Sequence, residues 1–244
     1  VANPFAAPIS AADFFSNSIN TATSTGTAYL WNDAGVNVGG LRGGDYISVN
    51  SLGVAGGPVD PGTGVAGSKS VSDFDGNFNA MQGFFLEATT AGNIVFEGAM
   101  QVLGDNGDDS FFRKSVPDRK LVKLALSGNG LYNDIIVVLD SEATENDDYS
   151  MDAKKFAGNE NISFYSINND VEYSIQALPL RFIEEEIPIG FQLELSGEYK
   201  ISVAGLEIQS DGIAAFLIDN HTGESFDLSE DFNLMGYHIQ SILS

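Results

Sequence analysis

The sequence predicts an all-β protein made of two antiparallel, jelly-roll-like β-sandwich domains with long glycine-rich loops. Short β-rich runs recur between clusters of Gly, Asn, Asp and Ser, which is typical of sandwiches and barrels. Residues 191–195 and 199–203 alternate apolar and polar side chains, which indicates sheets with one solvated face. The 244 residues suffice to bury two cores, and the chain has no cysteine with which to form a disulfide.

The elements are predicted in the following order. A short helix is expected near residues 11–15, where Ser10 can cap the first turn. Strands are expected at 27–31, 46–50, 83–88, 93–99, 120–127, 134–140, 162–167, 173–178, 190–195, 198–203, 213–219 and 225–228. The Gly-, Ser- and Val-rich stretch 36–73 has few large apolar residues, and it predicts a long surface loop or an edge insertion.

A domain boundary is predicted where Pro117 and a small basic cluster interrupt the strands. It divides the chain into an N-terminal sandwich, residues 1–116, and a C-terminal sandwich, residues 117–244. No short-period internal repeat is visible between or within these halves.

The chain is strongly acidic, with 34 Asp and Glu against 11 Lys and Arg and a formal net charge of -23. This charge repels phosphate backbones and anionic lipids, so a nucleic-acid partner is disfavoured. An excess of carboxylates suits a surface bathed in salty or calcium-containing water, which favours an extracellular setting. No apolar run approaches the roughly 20 residues of a membrane-spanning helix, so no transmembrane segment is predicted.

Residues that could carry out catalysis are scarce. The two histidines are His221, predicted in a solvated turn, and His238 near the end of the chain. The sequence has no Gly-x-Ser-x-Gly elbow, no phosphate-binding loop and no dinucleotide fingerprint. The run Glu184, Glu185 and Glu186 is interpreted as a solvated loop before Pro188 rather than as a pair of glycosidase carboxylates. The sequence therefore predicts that the protein is not an enzyme.

Calcium is the cofactor that the sequence favours. Hard cations take several oxygen ligands, and closely spaced Asp, Asn and Glu side chains can direct theirs at one ion. The alternative for each acidic segment is a solvated turn, which Asp and Asn also favour. The candidate ligands, in three segments, are Asp73, Asp75 and Asn77, then Asp105, Asp108 and Asp109, then Glu145, Asp147, Asp148 and Asp152.

Exposed aromatic side chains would indicate a sugar-binding surface, so the placement of the aromatic residues matters. Trp31 is the sole tryptophan, and it shares a strand face with Tyr29. Because aromatic side chains are usually buried in sandwiches, we expect Trp31 to pack in the core. The pairs Phe84 and Phe85, and Phe111 and Phe112, are interpreted as core or edge residues for the same reason.

Short segments along nearly the whole chain form an ordered series. They include 3–9 (NPFAAPI), 26–31 (GTAYLW), 81–85 (MQGFF), 110–113 (SFFR), 174–179 (SIQALP), 187–191 (IPIGF), 197–201 (GEYKI) and 217–220 (LIDN). In their order and spacing these segments resemble a module that is common in Bacteroidetes surface proteins. In that family the module usually precedes the C-terminal sorting domain of cargo exported by the type IX secretion system.

The resemblance implies a non-catalytic β-sandwich stalk or presentation module on the surface of a Gram-negative bacterium, as one piece of a longer protein. We therefore expect an extracellular structural or adhesive module that can assemble into a fibre through β-strand contacts. The expected partners are other copies of the chain, adjacent domains of the same protein and surface glycans. The alternative is a carbohydrate-binding accessory domain of a secreted enzyme or adhesin.

Overall fold

The computed structural model describes residues 1–32, 37–38, 41–42, 45–57, 74–102, 119–156, 158, 161–208, 213–228 and 233–239. The protein is mostly β, as predicted, with two short α-helices, α1 (Ala11–Ser16) and α2 (Ser18–Thr23). Short 3-10 helices occur at Gly98–Met100 and Leu180–Glu184. The described strands are β1 (Ile9–Ser10), β2 (Ser24–Asn32), β3 (Asn37–Val38), β4 (Leu41–Arg42), β5 (Asp45–Asn50), β6 (Gly53–Gly56), β7 (Asn77–Phe78), β8 (Phe85–Ala88), β9 (Lys120–Gly128), β10 (Leu131–Asp140), β11 (Ala153–Lys154), β12 (Ile162–Asn168), β13 (Val171–Pro179), β14 (Ile189–Leu193), β15 (Gly197–Glu207), β16 (Phe216–Ile218), β17 (Ser225–Asp227) and β18 (Asn233–Ile239).

The first sheet is antiparallel and has the strand order β6-β5-β2-β8. Side chains alternate along β2, so Ala28 and Leu30 lie on one face and Tyr29 and Trp31 on the other. The face that carries Leu30 covers an N-terminal core. That core consists of Ile9, Ala11, Phe14, Phe15, Ala28, Leu30, Ile47, Val49, Val54, Phe78, Phe84 and Met100.

Helix α1 closes the N-terminal core from the other side, and it begins where the sequence predicted a helix. The Ser10 hydroxyl accepts a hydrogen bond from the backbone N–H of Asp13 at 3.1 Å, as expected of a capping residue. The fully buried ring of Phe14 contacts the rings of Phe78 and Phe84 edge to face, with centroids 5.7 and 5.5 Å away. Helix α1 is therefore stabilised by packing rather than by its few backbone hydrogen bonds.

The second sheet runs β14-β12-β13-β10-β9-β15-β18, and β11 pairs with β13 beside this path. Strands from both ends of the sheet contribute to one apolar C-terminal core, so the sheet curls around it. The hairpin of β16 and β17 lies against the same core. The buried members of the C-terminal core are Leu124, Leu126, Leu131, Ile135, Ile162, Phe164, Tyr199, Ile201 and Leu228.

A third apolar cluster, the junction core, lies between the two sheets. Leu52, in the turn between β5 and β6, and Ala55 on β6 pack against the face of β10 and β13 that points away from the C-terminal core. Both faces of β10 are therefore covered, and nine of its ten residues are buried. The remaining buried members of the junction core are Ile136, Val138, Ala143, Ala153, Ile175 and Ala177.

The prediction of purely antiparallel sheets is wrong for one pair, because β10 and β13 run parallel with Ile136 opposite Ile175. A parallel pair needs a long crossover, and the segment from residue 141 to residue 170 supplies it. Central parallel strands are buried on both faces and have nearly continuous apolar sequences. The run of Ile135, Ile136, Val137 and Val138 is such a sequence.

Residues 93–99, predicted as a strand, pair with no strand among the described residues, although Ile94 and Phe96 pack on the N-terminal core. The buried side chain of Asn20 takes the place of a strand partner there. Its Nδ2 donates to the carbonyl of Val95 at 3.0 Å, and its Oδ1 accepts from the Val95 N–H at 2.8 Å. The backbone groups are thereby satisfied without a ladder.

Of the two alternatives predicted for residues 36–73, a surface loop or an edge insertion, β6 agrees with the second, because it lies at the edge of the first sheet; it is nevertheless buried along its length. Its small residues are what allow it to lie against the second sheet. A Cβ added to Gly53 would stand 2.9 Å from Cδ1 of Ile136. The predicted domain boundary lies mostly outside the described residues, and the two-domain division stays a prediction. None of the helices in the described ranges has the length and apolar character needed to cross a membrane.

Candidate functional site

An exposed aromatic surface lies on the face of the first sheet that points away from the N-terminal core. We call it the aromatic patch and define it as Tyr29, Trp31, Tyr46, Phe85 and Phe156. The register places Trp31 opposite Tyr46 on β5 and Tyr29 opposite Phe85 on β8. Phe156 comes from the segment after β11, and its ring stacks on Tyr29 with centroids 4.8 Å apart. The five rings form one connected cluster.

Three of these side chains are exposed to solvent: Trp31 is 46% exposed, Phe85 55% and Phe156 37%. The prediction that Trp31 packs in the core is therefore wrong. Of the adjacent pair, Phe84 lies in the N-terminal core while Phe85 faces outward. Contiguous exposed apolar surface is uncommon on soluble proteins unless it contacts a partner or ligand.

The acidic loop, residues 141–152, covers the neighbouring part of the same face. Thr27 donates through its hydroxyl to the Asp152 carbonyl at 3.0 Å, and Asn50 donates through Nδ2 to the Met151 carbonyl at 2.9 Å. The N–H of Ser150 donates to the Thr25 carbonyl at 2.6 Å. These bonds fix the acidic loop beside the aromatic patch.

The loop approaches β2 so closely that only glycine fits at position 26. Gly26 has a φ of +73°, and an added Cβ would stand 2.7 Å from Cα of Ser150. We expect Gly26→Ala to lower the free energy of unfolding by about 2 to 4 kcal/mol, because overpacking adds to the backbone strain. Urea unfolding measures the loss.

Gly130→Ala is the matched control for that substitution. Gly130 has a similar φ of +75°, but no atom lies within 4 Å of its added Cβ. Its loss should be about 1 to 2 kcal/mol, from backbone strain alone. Equal losses in the two variants would contradict the close docking of the acidic loop on β2.

The carboxylates of the acidic loop are engaged by donors of the protein. Asp147 accepts from the Tyr173 hydroxyl and pairs with Lys154 at 2.7 Å. Burial alone would raise the pKa of Asp147, but the hydrogen bonds from Lys154 and Tyr173 outweigh it and the pKa is lowered. Asp148 accepts from the Thr144 hydroxyl at 2.9 Å. Glu145 pairs with Arg181, and both side chains are largely exposed.

Asp152 is the most perturbed carboxylate of the acidic loop. Its two oxygens accept from the N–H groups of Ala177 and Asp148, each at 2.7 Å. Burial raises the pKa of Asp152 to about 6, and the charges of Asp148 and Asp147 act in the same direction. The backbone bonds lower the pKa only partly toward its usual value.

A shallow pocket separates the acidic loop from the aromatic patch. Tyr29 is the ring of the aromatic patch that lines it, together with polar side chains that include Glu87 and Lys154. Tyr149 at its edge is exposed. The lining that is relevant to a ligand consists of Tyr29, Glu87, Asp147, Tyr149 and Lys154.

A buried polar triad, which we define as Asp45, Asn133 and Lys155, lies beside the aromatic patch. Asn133 donates through Nδ2 to Asp45 Oδ2 at 2.8 Å. Lys155 Nζ lies 3.2 Å from Asn133 Oδ1 and 3.4 Å from Asp45 Oδ2. The Lys155 side chain is 5% exposed and that of Asp45 is fully buried. Burial raises the pKa of Asp45, although Lys155 and the hydrogen bonds oppose the shift.

The other sequence-predicted ligands are not brought together in the described part of the chain. Asp75 Oδ1 accepts a hydrogen bond from the N–H of Asn77 at 3.0 Å. This bond is typical of a turn, which agrees with the solvated-turn alternative for that segment. Asp73, Asp105, Asp108 and Asp109 lie outside the described residues. Across the described ranges no group of three or more His, Asp or Glu side chains is arranged to hold a metal ion. Calcium binding stays a prediction.

Two further sequence interpretations are confirmed. His221 is exposed in a turn, where its N–H donates to Asp219 at 2.8 Å. Glu184, Glu185 and Glu186 are all exposed, as expected of a solvated stretch. The prediction for the second pair of phenylalanines, Phe111 and Phe112, falls outside the described residues.

Sequence reasoning missed the buried polar triad. A signal was present, because Asn133 and Asp134 stand just before the apolar run of β10 and two adjacent lysines, Lys154 and Lys155, stand at the end of β11. Charged residues within buried strands usually have partners, but the sequence does not identify them.

Comparison with known proteins adds a family assignment. No curated protein and no solved structure shows significant similarity to the chain. A family model described as "Domain of unknown function (DUF8693)" matches residues 1–238. Because the match covers nearly the entire chain, the protein belongs to the DUF8693 family.

Proposed function

We propose that the protein is a non-catalytic adhesive module of an extracellular protein and that its aromatic patch binds surface glycans. The observation that carries this proposal is the cluster of five rings, three of them exposed, beside a pocket with polar groups. Sugars have apolar C–H faces that pack on aromatic rings and hydroxyls that bond to neighbouring polar side chains. Glu87, Asp147 and Lys154 line the pocket, and we propose them as the polar groups that bond to such hydroxyls.

The same arrangement is less suited to a nucleic-acid ligand. The net charge of -23 repels phosphates, and the pocket beside the rings is itself lined by Glu87, Asp147, Asp148 and Asp152 against Lys154. A neutral or weakly charged saccharide is not subject to this repulsion. Four of the five rings of the patch lie on strands, so they are already positioned before binding and less entropy is lost.

The proposed setting is the surface of a Gram-negative bacterium, reached through type IX secretion, and it rests on the ordered resemblance described above. We further propose that the fold comprises two sandwich-like domains, since the N-terminal and C-terminal cores draw on separate parts of the chain. Assembly through strand contacts is part of the same proposal. Strand β14 lies at the edge of the second sheet, and Phe191 on it is exposed.

A glycan array probed with the intact chain tests the binding function. We expect retention of at least one glycan class, and we expect Trp31→Ala to weaken that binding by about thirtyfold, the effect of losing an aromatic anchor worth about 2 kcal/mol. Because Trp31 is half exposed, the variant should keep the melting temperature of the wild type within a few degrees.

Phe216→Ala is the matched control, since Phe216 is 55% exposed on β16, which lies outside the first sheet. Its glycan binding should equal that of the wild type. An array without any bound glycan, or equal binding by Trp31→Ala and the wild type, would refute the assignment of the aromatic patch.

Calcium binding by the acidic loop is tested separately by isothermal titration with calcium chloride. Glu145, Asp147, Asp148 and Asp152 all lie within this loop, and calcium would have to replace donors such as Lys154 and Tyr173. We expect weak binding that is lost in Asp147→Asn. A heat signal of zero, together with a melting temperature indifferent to chelator, would contradict the prediction.

A further inference from the structure

The buried polar triad of Asp45, Asn133 and Lys155 has the geometry of a reactive centre rather than of a simple ion pair. Lys155 Nζ lies 3.2 Å from the carboxamide oxygen of Asn133, so the amine stands against the carboxamide group. Asp45 Oδ2 contacts both nitrogens, Nζ at 3.4 Å and Nδ2 of Asn133 at 2.8 Å. One carboxylate oxygen therefore connects a nucleophile with a leaving group.

The triad is shielded from water. All three side chains are buried, and burial raises the pKa of Asp45, so its carboxyl group can hold a proton taken from Lys155. Phe156, the residue after Lys155, packs edge to face on Tyr46 with centroids 4.6 Å apart and helps to exclude water. A buried lysine that loses its proton becomes a nucleophile.

Two glycines close the remaining space around the triad. An added Cβ on Gly158 would stand 2.5 Å from Oδ1 of Asp45. An added Cβ on Gly57 would stand 3.0 Å from Nδ2 of Asn133 and 2.4 Å from the Tyr132 carbonyl. The backbone therefore approaches both groups closely. Fixing reactants at such short range replaces a bimolecular encounter with an intramolecular one.

We propose that Lys155 and Asn133 join in an intramolecular isopeptide bond, formed by the chain itself with Asp45 as the catalytic residue. Asp45 accepts a proton from Lys155 Nζ, and the neutral amine attacks Cγ of Asn133. A bond forms between Nζ and Cγ, and the bond between Cγ and Nδ2 breaks. The two protons that Nζ loses leave with Nδ2 as an ammonium ion, and Asp45 returns to its initial state.

The reaction needs no oxidant, cofactor or second protein, because a carboxamide exchanges one amine for another. The product would link β10 to the segment after β11 and close the acidic loop covalently. It would also fix Phe156, the neighbour of Lys155, within the aromatic patch. Such a bond resists pulling and proteolysis, and it can form whether or not the aromatic patch binds glycans.

Intact mass spectrometry of the purified, denatured chain tests the proposal. We expect a mass lower than that of the sequence by one ammonia molecule. After trypsin digestion, fragmentation should find peptide 124–154 joined to peptide 155–181 through Asn133 and Lys155. A mass equal to that of the sequence would overturn the proposal, and so would ammonia loss located at another site, such as cyclisation at Asn129.

Variants separate the roles of the three residues. Lys155→Arg and Asp45→Ala should each have the mass calculated from the variant's own sequence. The control Lys154→Arg changes the adjacent and more exposed lysine, and it should still lose ammonia. Circular dichroism reports whether each variant is folded. The masses of the wild type and of Lys154→Arg are sufficient to test the isopeptide bond, even if one of the other variants fails to fold. Ammonia loss that persists in folded Asp45→Ala would overturn the role of Asp45.

Discussion

Replacing Asp134 with alanine should lower the free energy of unfolding by about 3 to 5 kcal/mol. This is the usual cost of removing one partner of a buried ion pair, because the other partner is left without its counter-charge. Asp134 is buried on β10 and connects three elements. Its Oδ1 accepts from the N–H of Gly56 on β6 at 2.7 Å. Its Oδ2 accepts from the Tyr132 hydroxyl at 3.0 Å and pairs with Lys123 of β9 at 2.9 Å.

The loss is expected to be large because every donor around Asp134 would remain buried or partly buried without this acceptor. The N–H of Gly56 belongs to β6, so the substitution also weakens the contact between the two sheets. Urea unfolding of the wild type and of Asp134→Ala, monitored by circular dichroism, gives the difference directly.

Arg181→Ala provides the comparison with an exposed ion pair. Arg181 pairs with Glu145, and the two side chains are 63% and 54% exposed. Water screens this pair, so its removal should change the free energy of unfolding by no more than about 1 kcal/mol. Similar losses for Asp134→Ala and Arg181→Ala would mean that Asp134 does not hold the sheets together.

The mostly β character of the protein could be predicted because its cause is local. Alternation in residues 199–203 and the apolar run of β10 result from the two-residue period of a strand. The cap of α1 at Ser10 is local as well. The parallel pairing of β10 and β13 could not be predicted from local sequence, because it depends on which strand lies beside β10 after a long crossover.

The candidate site was harder to predict for the same reason. Alternation shows that Tyr29 and Trp31 share a face, but it does not show which face another sheet will cover. In this fold the second sheet and the acidic loop cover only part of that face, and Trp31 is left exposed. Likewise, Asp45 and Lys155 lie 110 residues apart in sequence, and only the folded chain brings them together.

The stability of the protein should depend on pH through Asp152. Burial raises the pKa of this carboxyl from 3.8 to about 6, so the folded state binds a proton more tightly than the unfolded state does. Its contribution to stability is therefore complete below about pH 4 and is lost as the pH rises through about 6. A shift of about two pKa units corresponds to at most about 3 kcal/mol.

Asp152→Asn removes this titration, so the comparison of the variant with the wild type isolates it from the many other carboxylates. The free energy of unfolding of the wild type, relative to the variant, should rise by up to about 3 kcal/mol as the pH falls from about 7 to about 4. Asp147, Asp148 and Lys154 are the charged groups beside Asp152, and they remain in both proteins.

Asp170→Asn, in the exposed turn between β12 and β13, is the matched control, because it removes one carboxylate that lies outside the acidic loop. If the difference in free energy of unfolding between Asp152→Asn and the wild type does not change with pH, water reaches Asp152 freely. The acidic loop would then not be closed over the face of the first sheet, and the pocket beside the aromatic patch would lose one of its walls. The pH profile thus tests the architecture of the candidate site independently of any ligand.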